Sequence, residues 1–365
     1  MSRAVAAPRS VSRRQVVADI AMFYGERSGG IRTYLDEKAA YAAASGSFEH
    51  HVIVPGRRER HQGGRHEVRA LRLAASNGYR IPLGAGAVKD TLRAIRPDVV
   101  VLHDPFWRPL GITQTAHALG AAVVAVHHAS VALNAAGLPG PDGLYVPLLR
   151  GVYRHAYEHV DAVMSVVDAE RDSRREATIP LRFGLHPAFR PAPAERGQHL
   201  LYVGRLSLEK HVDDLFRAVR LLARPRPVVV VGDGPARGAL EARARRAGAE
   251  VEFRPFVGDR HELARIYREA ACVVDPAPHE TFGLVVLEAA ASGGRVVACS
   301  STPSASIAPE LVETYEAKDV PALAAAIERA LAQPGDARLA AGLGAGLTWG
   351  RVFEAELAEF VKLQR

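Results

Sequence analysis

Two doubly wound α/β domains, each built on a parallel sheet, are the architecture this sequence predicts. Three observations carry the expectation. The chain has 365 residues, long for one open α/β domain and sufficient for two. Short β-prone apolar runs alternate with helix-forming stretches, the pattern of parallel strands joined by crossover helices. The alternation breaks once, at a passage over 185–197 carrying Pro187, Pro191 and Pro193, and then restarts. A hydrophobic content of 48% supplies two cores, and 6% aromatic residues is low for a β-sandwich or a lectin.

In chain order, the first fourteen residues carry Arg3, Arg9, Arg13 and Arg14, and Asp19 interrupts the next apolar stretch. Segment 1–14 therefore reads as a disordered basic tail rather than a signal peptide. Strands are expected at 15–22, 50–54, 99–103, 121–127 and 162–167, with helices at 31–44, 87–95, 111–119 and 147–159. These make a first domain over 15–186. In the second domain, over 187–348, strands are expected at 200–203, 227–231, 251–253, 272–275 and 295–299, with helices at 212–222, 235–246, 262–270 and 282–291. Helices then dominate from residue 320, and 349–365 holds the last of them.

Charge and cysteine usage narrow the class further. The net charge of +7 is uneven: the first hundred residues hold 17 Lys and Arg against 9 Asp and Glu. A basic N-terminal surface favours an anionic acceptor or an anionic membrane face, although an arginine-rich genome and a solvated surface are the plainer explanation. The basic stretch 57–72 lacks interleaved aromatics, which argues against nucleic acid. Cys272 and Cys299 lie in apolar runs without zinc or disulfide spacing and read as buried free thiols, in keeping with a reducing cytoplasm. No apolar run reaches membrane-spanning length.

The residues richest in chemistry are His279, Glu280, Thr281, Phe282, Gly283 and Leu284, with Glu288 following. A strand, a loop and a helix are expected in turn, placing Glu280 on the loop, Gly283 at the helix start and Glu288 two turns in. A helix start offers unpaired amides and a positive dipole end, which suit a diphosphate. Glu280 would then accept hydrogen bonds from sugar hydroxyls and Glu288 from a ribose. On spacing alone, Glu280 as a helix cap and Glu288 as a solvated surface residue are equally good readings. Gly204, Arg205 and Lys210 follow the first strand of the second domain, where two cations could converge on one diphosphate. Gly29 and Gly30 precede the first helix and permit close backbone approach, though a plain turn also uses them. His103 with Asp104, and His127 with His128, stand at strand ends. Structural histidines and a hinge or cap are the alternatives there. Gly232, Asp233 and Gly234 read as a turn, while Phe256 and Val257 are placed either near a nucleobase or in the core.

Together these blocks resemble glycosyltransferase family 4, the retaining enzymes of GT-B fold. The resemblance rests on the two glutamates flanking Thr281, Phe282 and Gly283, on Gly204, Arg205, Leu206 with Glu209 and Lys210, and on the Gly29 and Gly30 loop. At His211 the family commonly has glycine, a departure in the loop. The resemblance implies two Rossmann-like domains facing a central cleft, with 349–365 crossing back to the first domain. It implies hexose transfer from a UDP- or GDP-linked sugar to a glycan, glycolipid or lipid-linked acceptor. Catalytic roles fall to Glu280, Arg205, Lys210 and His128. Donor binding falls to Glu288, Gly204, Thr281, Phe282, Gly283, Leu284, Gly30 and Val257, and acceptor binding to Gly29, His127, His103 and Asp104. No Asp-any-Asp triplet occurs, so neither a metal nor another cofactor is expected and the cations would take its place. A front-face mechanism is the expectation, because no first-domain carboxylate stands out as a nucleophile. The implied partners are the sugar nucleotide and an acceptor of open identity, soluble or at an anionic membrane surface. Nucleic acid is not among them, and the chain would act as a monomer or weak dimer, cytoplasmic or peripheral at the inner membrane face. An epimerase, a glycan phosphorylase and an inactive sugar-nucleotide-binding protein are the alternatives. The phosphorylase is disfavoured by the scarcity of lysine in the second domain.

Overall fold

The structure is a computed structural model that describes residues 13–22, 24, 30–72, 80–105, 107–127, 142–166, 177–333 and 335–364. Contacts divide the chain into two compact units. One comprises Met1–Val126, Ala156–Val163 and Ala358–Arg365, the other His127–His155 and Met164–Leu357.

The first unit is centred on β1 (Gln15–Ile20), whose Val16, Val17, Ala18 and Ile20 are buried. Such a run, apolar on both faces, belongs inside a parallel sheet covered by helices. β1 pairs in parallel with β2 (Phe48–Gly56) on one side and with β7 (Val99–Leu102) on the other. Short strands β3 (Arg60–Gln62) and β4 (Arg65–Arg69) form a hairpin, β4 running parallel to β2. β5 (Leu71–Arg72) and β6 (Arg80–Ile81) make a separate antiparallel ribbon. With β8 (Ala122–His127), β9 (Ala162–Ser165) and β10 (Ala177–Pro180), the first sheet has the order β10-β9-β8-β7-β1-β2-β4-β3. Its helices include α1 (Gly30–Ser45), α2 (Gly86–Ile95) and α3 (Pro109–Ala118). Ile20, Ile53, Val100, Leu102, Val123 and Ile112 share one core cluster. The helix expected at 147–159 is α4 (Asp142–Tyr157) and carries Pro147 inside it.

The second unit holds β11 (Leu200–Val203), β12 (Val228–Val231), β13 (Val251–Arg254), β14 (Cys272–Asp275), β15 (Val296–Cys299) and β16 (Val312–Tyr315). They run in the order β13-β12-β11-β14-β15-β16, and every adjacent pair is parallel. This doubly wound order reverses between β11 and β14, and the crevice outside the strand carboxyl ends at such a reversal is where ligands of open α/β sheets bind. The connecting helices are α5 (Val212–Val219), α6 (Arg237–Ala247), α7 (Arg260–Glu269) and α8 (Leu284–Ala291). Asp259 caps α7 by accepting hydrogen bonds from the amides of His261 and Glu262, both at 2.8 Å. Leu200, Tyr202, Phe216, Val230, Val274 and Ile327 lie in one core cluster. α9 (Val320–Ala332), α10 (Ala337–Gly346) and α11 (Trp349–Leu363) complete the chain. The final residues cluster with the first unit, where Phe360 presents its ring 5.4 Å from the Lys38 ammonium.

Several elements differ from expectation. β3 to β6, β10 and β16 were not expected, and three of them, β3, β4 and β5, lie in the basic stretch 57–72. α8 begins at Leu284, two residues later than expected, because Gly283 sits at φ 85° and ends the loop. Both cysteines are buried and free, and burial pushes the Cys272 thiol up to about 12. Among the described residues no helix is long and apolar enough to cross a membrane.

Candidate functional site

Two loops leave the carboxyl ends of the adjacent central strands β11 and β14, and both are held by their own backbones. After β11, Leu206 donates its amide to the Asp233 carbonyl at 3.0 Å, and its carbonyl accepts from the Ala236 amide at 2.9 Å. The loop after β12 therefore lies directly on the loop after β11. A Cβ on Gly232 would stand 2.0 Å from the Gly204 carbonyl oxygen, and one on Gly234 would stand 2.2 Å from that of Leu206. The Gly232, Asp233, Gly234 block is thus needed for backbone approach. Asp233 also receives the Phe256 amide at 3.0 Å and the Arg237 guanidinium at 3.1 Å.

This packing presents a short 3-10 turn, Leu208–Lys210, that ends in His211 at φ 51°. That left-handed conformation accounts for the glycine found here in the resembled family, and His211 adopts it with its ring 3.3 Å from Asp214. Lys210 points back from the turn and forms an ion pair with Glu280 of the β14 loop at 2.5 Å. Burial draws the Lys210 ammonium down, but Glu280 and Asp275 beside it more than compensate and hold it charged above its ordinary value. Asp275, the buried last residue of β14, has its carboxyl pushed up to about 7 by burial and by Glu280. The Ala277 amide donates to it at 3.3 Å. Arg205 stays exposed, and its guanidinium forms no ion pair among the described residues.

The β14 loop is tied down from below. Tyr315 donates its hydroxyl to the Pro276 carbonyl at 3.1 Å and Ser301 to that of Pro278 at 2.6 Å. Phe282 is buried with its ring centroid 4.5 Å from that of Phe183. Ser304 donates its amide to the Phe282 carbonyl and its hydroxyl to that of Gly283. A Cβ on Gly283 would come within 2.6 Å of both Ser304 Oγ and Thr302 Cγ2. With their carbonyls engaged, the amides of Phe282, Gly283 and Leu284 at the start of α8 donate no hydrogen bond among the described residues. They are the orphan donors of a helix end, in a loop that also carries Glu280.

Glu288 is not the solvated surface residue that spacing alone allowed. It is 7% exposed, accepts the Tyr267 hydroxyl at 3.0 Å and lies 3.6 Å from the Arg260 guanidinium. Burial dominates these partners and pushes its carboxyl up to about 7.

The structure thus brings Gly204, Arg205 and Lys210 on one loop to Glu280, Thr281, Phe282, Gly283 and Leu284 on the next, with Glu288 one turn into α8. Val257 is half-buried beyond the β13 end, beside a Phe256 that is 72% exposed. In the first unit Gly30 is the exposed first residue of α1. His103 and Asp104 are buried: His103 Nε2 lies 2.8 Å from Asp19, and Asp104 accepts the Met22 amide at 2.6 Å. Asp19 also meets Lys38 at 2.9 Å and His50 at 2.8 Å. Burial raises the Asp19 carboxyl, and these partners override it and hold it well below the ordinary value. Both residues therefore have structural partners linking β1 to β7. His127 ends β8 half-buried, its ring edge-on to Tyr153 at 5.3 Å. Gly29 and His128 lie outside the described residues. Asp275 was not singled out from sequence, although an acid closing an apolar strand just before a proline is a readable signal.

Comparisons with known proteins bear on the family and the fold. Residues 28–182 match the family model described as Glycosyltransferase Family 4, and residues 197–333 match the one described as Glycosyl transferases group 1. The chain is 33% identical over 307 residues to a GDP-mannose-dependent alpha-(1-6)-phosphatidylinositol dimannoside mannosyltransferase of Mycobacterium tuberculosis, covering 77% of this chain and 78% of that one. It is 32% identical over 251 residues to a GDP-mannose-dependent alpha-mannosyltransferase of the same organism, covering 60% of each. Sucrose-phosphate synthase from Thermosynechococcus elongatus superposes with a TM-score of 0.79 at 19% identity, over 96% of this chain and 99% of that one.

Proposed function

This chain belongs to glycosyltransferase family 4 and has the GT-B fold, and from that premise we propose that it transfers mannose from GDP-mannose with retention of anomeric configuration. The observation that carries the donor site is the junction of the β11 and β14 loops at the strand reversal, where the Lys210 and Glu280 pair lies beside the unpaired amides of α8. Arg205 and Lys210 offset the charge that grows on the departing diphosphate, and the amides of Phe282, Gly283 and Leu284 bind its oxygens. Glu280 accepts hydrogen bonds from the sugar hydroxyls and Glu288 from the ribose. Gly204 and Thr281 shape the phosphate loop and Val257 meets the base. In this front-face reading the leaving phosphate oxygen takes the acceptor proton, and no metal or cofactor is required. Apart from Gly30, the donor residues fall in 187–348, and acceptor recognition is assigned to 15–186, with Gly29, His103, Asp104 and His127 as candidates and His128 kept in a catalytic role. Two relatives whose names specify GDP-mannose support the donor, and the phosphatidylinositol mannoside in the name of one supports a glycolipid acceptor at an anionic membrane face.

A thermal-shift screen of GDP-, UDP- and ADP-sugars tests the donor, because a ligand that binds only the folded state raises the melting temperature with its affinity. GDP-mannose is expected to give the largest shift, and NMR of the transferred product is expected to show the donor's anomeric configuration. A UDP- or ADP-sugar preference would refute the donor, and an inverted product would refute the mechanism. Cosedimentation with anionic liposomes is expected to fall as salt rises, and salt-independent or absent binding would remove the membrane face.

A further inference from the structure

Outside the donor site, three histidine rings and a carboxylate meet on the outer strands of the first sheet. His51 lies on β2, His66 on β4 and His61 on β3, where it stands directly opposite His66 in the antiparallel register. His51 Nδ1 lies 2.9 Å from His66 Nε2, and His61 Nδ1 lies 2.9 Å from His66 Nδ1. The rings are stepped at centroid separations of 5.1 Å. At the far end, His51 Nε2 is 2.9 Å from Glu49 Oε1. No other side chain takes a ring nitrogen of these three among the described residues. His61 is exposed and His51 and His66 are half-buried, so water reaches the group.

We propose that His51 Nδ1 and His66 Nε2 bind a divalent copper or nickel ion, with Glu49 and His61 orienting the two rings. Two nitrogens at about 2.0 to 2.1 Å from one ion and subtending a right angle stand about 2.9 Å apart, whereas a tetrahedral pair stands about 3.4 Å apart. Before an ion binds, that separation is the length of the hydrogen bond joining the two rings, and it also suits the right angle of a tetragonal or octahedral ion once each ring turns to aim its lone pair at the ion. The outer partners fit the same assignment, since a ligating imidazole commonly donates its second N–H to a carboxylate or another acceptor. His51 does so to Glu49 through Nε2, leaving the Nδ1 lone pair directed at His66. On binding, His66 moves its proton from Nε2 to Nδ1 and donates it to His61 Nδ1, whose own proton passes to its Nε2. All three rings stay neutral and no net proton is released. Water fills the remaining positions. Strand pairing fixes the spacing before any ion arrives, and Arg65, the nearest cation in sequence, is paired with Glu67 at 3.4 Å.

The test uses the full, tag-free chain titrated with copper(II) chloride by calorimetry, with electron paramagnetic resonance as the second readout. With the separate His155, Glu158 and His159 group removed by His155→Gln and His159→Gln in every protein titrated, one equivalent is expected to bind at about micromolar affinity or tighter, with nitrogen coupling from two imidazoles. His51→Gln and His66→Gln are each expected to weaken binding about tenfold or more, and Glu49→Gln and His61→Gln by a smaller but measurable factor. Circular dichroism without metal checks that each variant is folded. Should the two inner variants misfold, His61→Gln on the exposed strand decides alone, because a plain surface histidine there would leave copper affinity and spectrum unchanged. Wild-type affinity in the folded His51→Gln, His66→Gln double variant, or no copper site in the wild type, overturns the proposal and leaves a hydrogen-bonded histidine row.

Discussion

Burial of Glu288 makes its ionisation costly to stability, whereas its proposed ribose contact uses the ionised form, and Glu288→Gln separates the two. The folded carboxyl is pushed from its ordinary 4.5 up to about 7, so between those values the folded state keeps a proton that the unfolded chain has lost. Stability from this group is therefore complete below the ordinary value and is lost as pH rises to about 7. That gap corresponds to about 3 kcal/mol. Glutamine has the shape of the protonated acid, still accepts the Tyr267 hydroxyl and never ionises. Urea unfolding from pH 5 to pH 8 should then show the variant gaining on the wild type as pH rises, from under about 1 kcal/mol to about 3 kcal/mol. Asp275 adds its own slope in both proteins and cancels in the difference. At pH 8, where Glu288 is ionised, GDP-mannose affinity of the variant should be about tenfold or more below wild type, since ribose hydroxyls lose a charged acceptor, and the difference should shrink toward pH 5, where the wild-type carboxyl is itself protonated. Stability curves separated by a constant offset across that range would refute the buried, proton-holding Glu288. Unchanged donor affinity at pH 8 would refute its contact with the ribose.

Three further outcomes follow from the donor loops. Lys210→Ala is expected to lower kcat about 100-fold or more in a GDP-release assay, with the melting temperature within a few degrees of wild type, since the lost cation acts on charge that develops late. Glu280→Ala should likewise reduce turnover strongly in a folded protein, and wild-type-like rates in both variants would remove the site. Gly283→Ala must carry a Cβ at φ 85° against Ser304 and Thr302, costing about 2 to 4 kcal/mol in urea unfolding, and a cost under about 1 kcal/mol would show the loop to be adjustable.

How far the sequence could be read depended on the range of the interaction. Glu280, Gly283 and Glu288 belong to one strand, loop and helix, where local propensity and spacing suffice, and the α/β alternation that frames them comes from the same short-range pattern. Strands β3 and β4 escaped notice because they are three and five residues long and composed of Arg, His, Gln, Glu and Val, with no apolar alternation. The readable signal there was the Gly63, Gly64 pair, both at positive φ, which closes the hairpin. His103 and Asp104 stood out because they end a strand, but their partners Asp19 and Met22 come from β1 and the residues after it, eighty-odd positions upstream, and only the β1 and β7 pairing brings them together.

The Lys210 and Glu280 pair carries the same lesson into the site. Seventy positions separate the two residues, and they meet because β11 and β14 are neighbours although β12 and β13 intervene in sequence. That adjacency also explains why Asp275 matters. Buried at the end of β14 beside Glu280, it could ionise only against both desolvation and the Glu280 charge, so it holds a proton up to about pH 7, where an ordinary aspartate would not. Below that pH a neutral Asp275 leaves Glu280 as the principal counter-charge to Lys210, and above it Asp275 joins Glu280 in holding the ammonium charged. If Lys210 meets the donor diphosphate as proposed, it turns from one anion to another without leaving a second buried carboxylate unpaired.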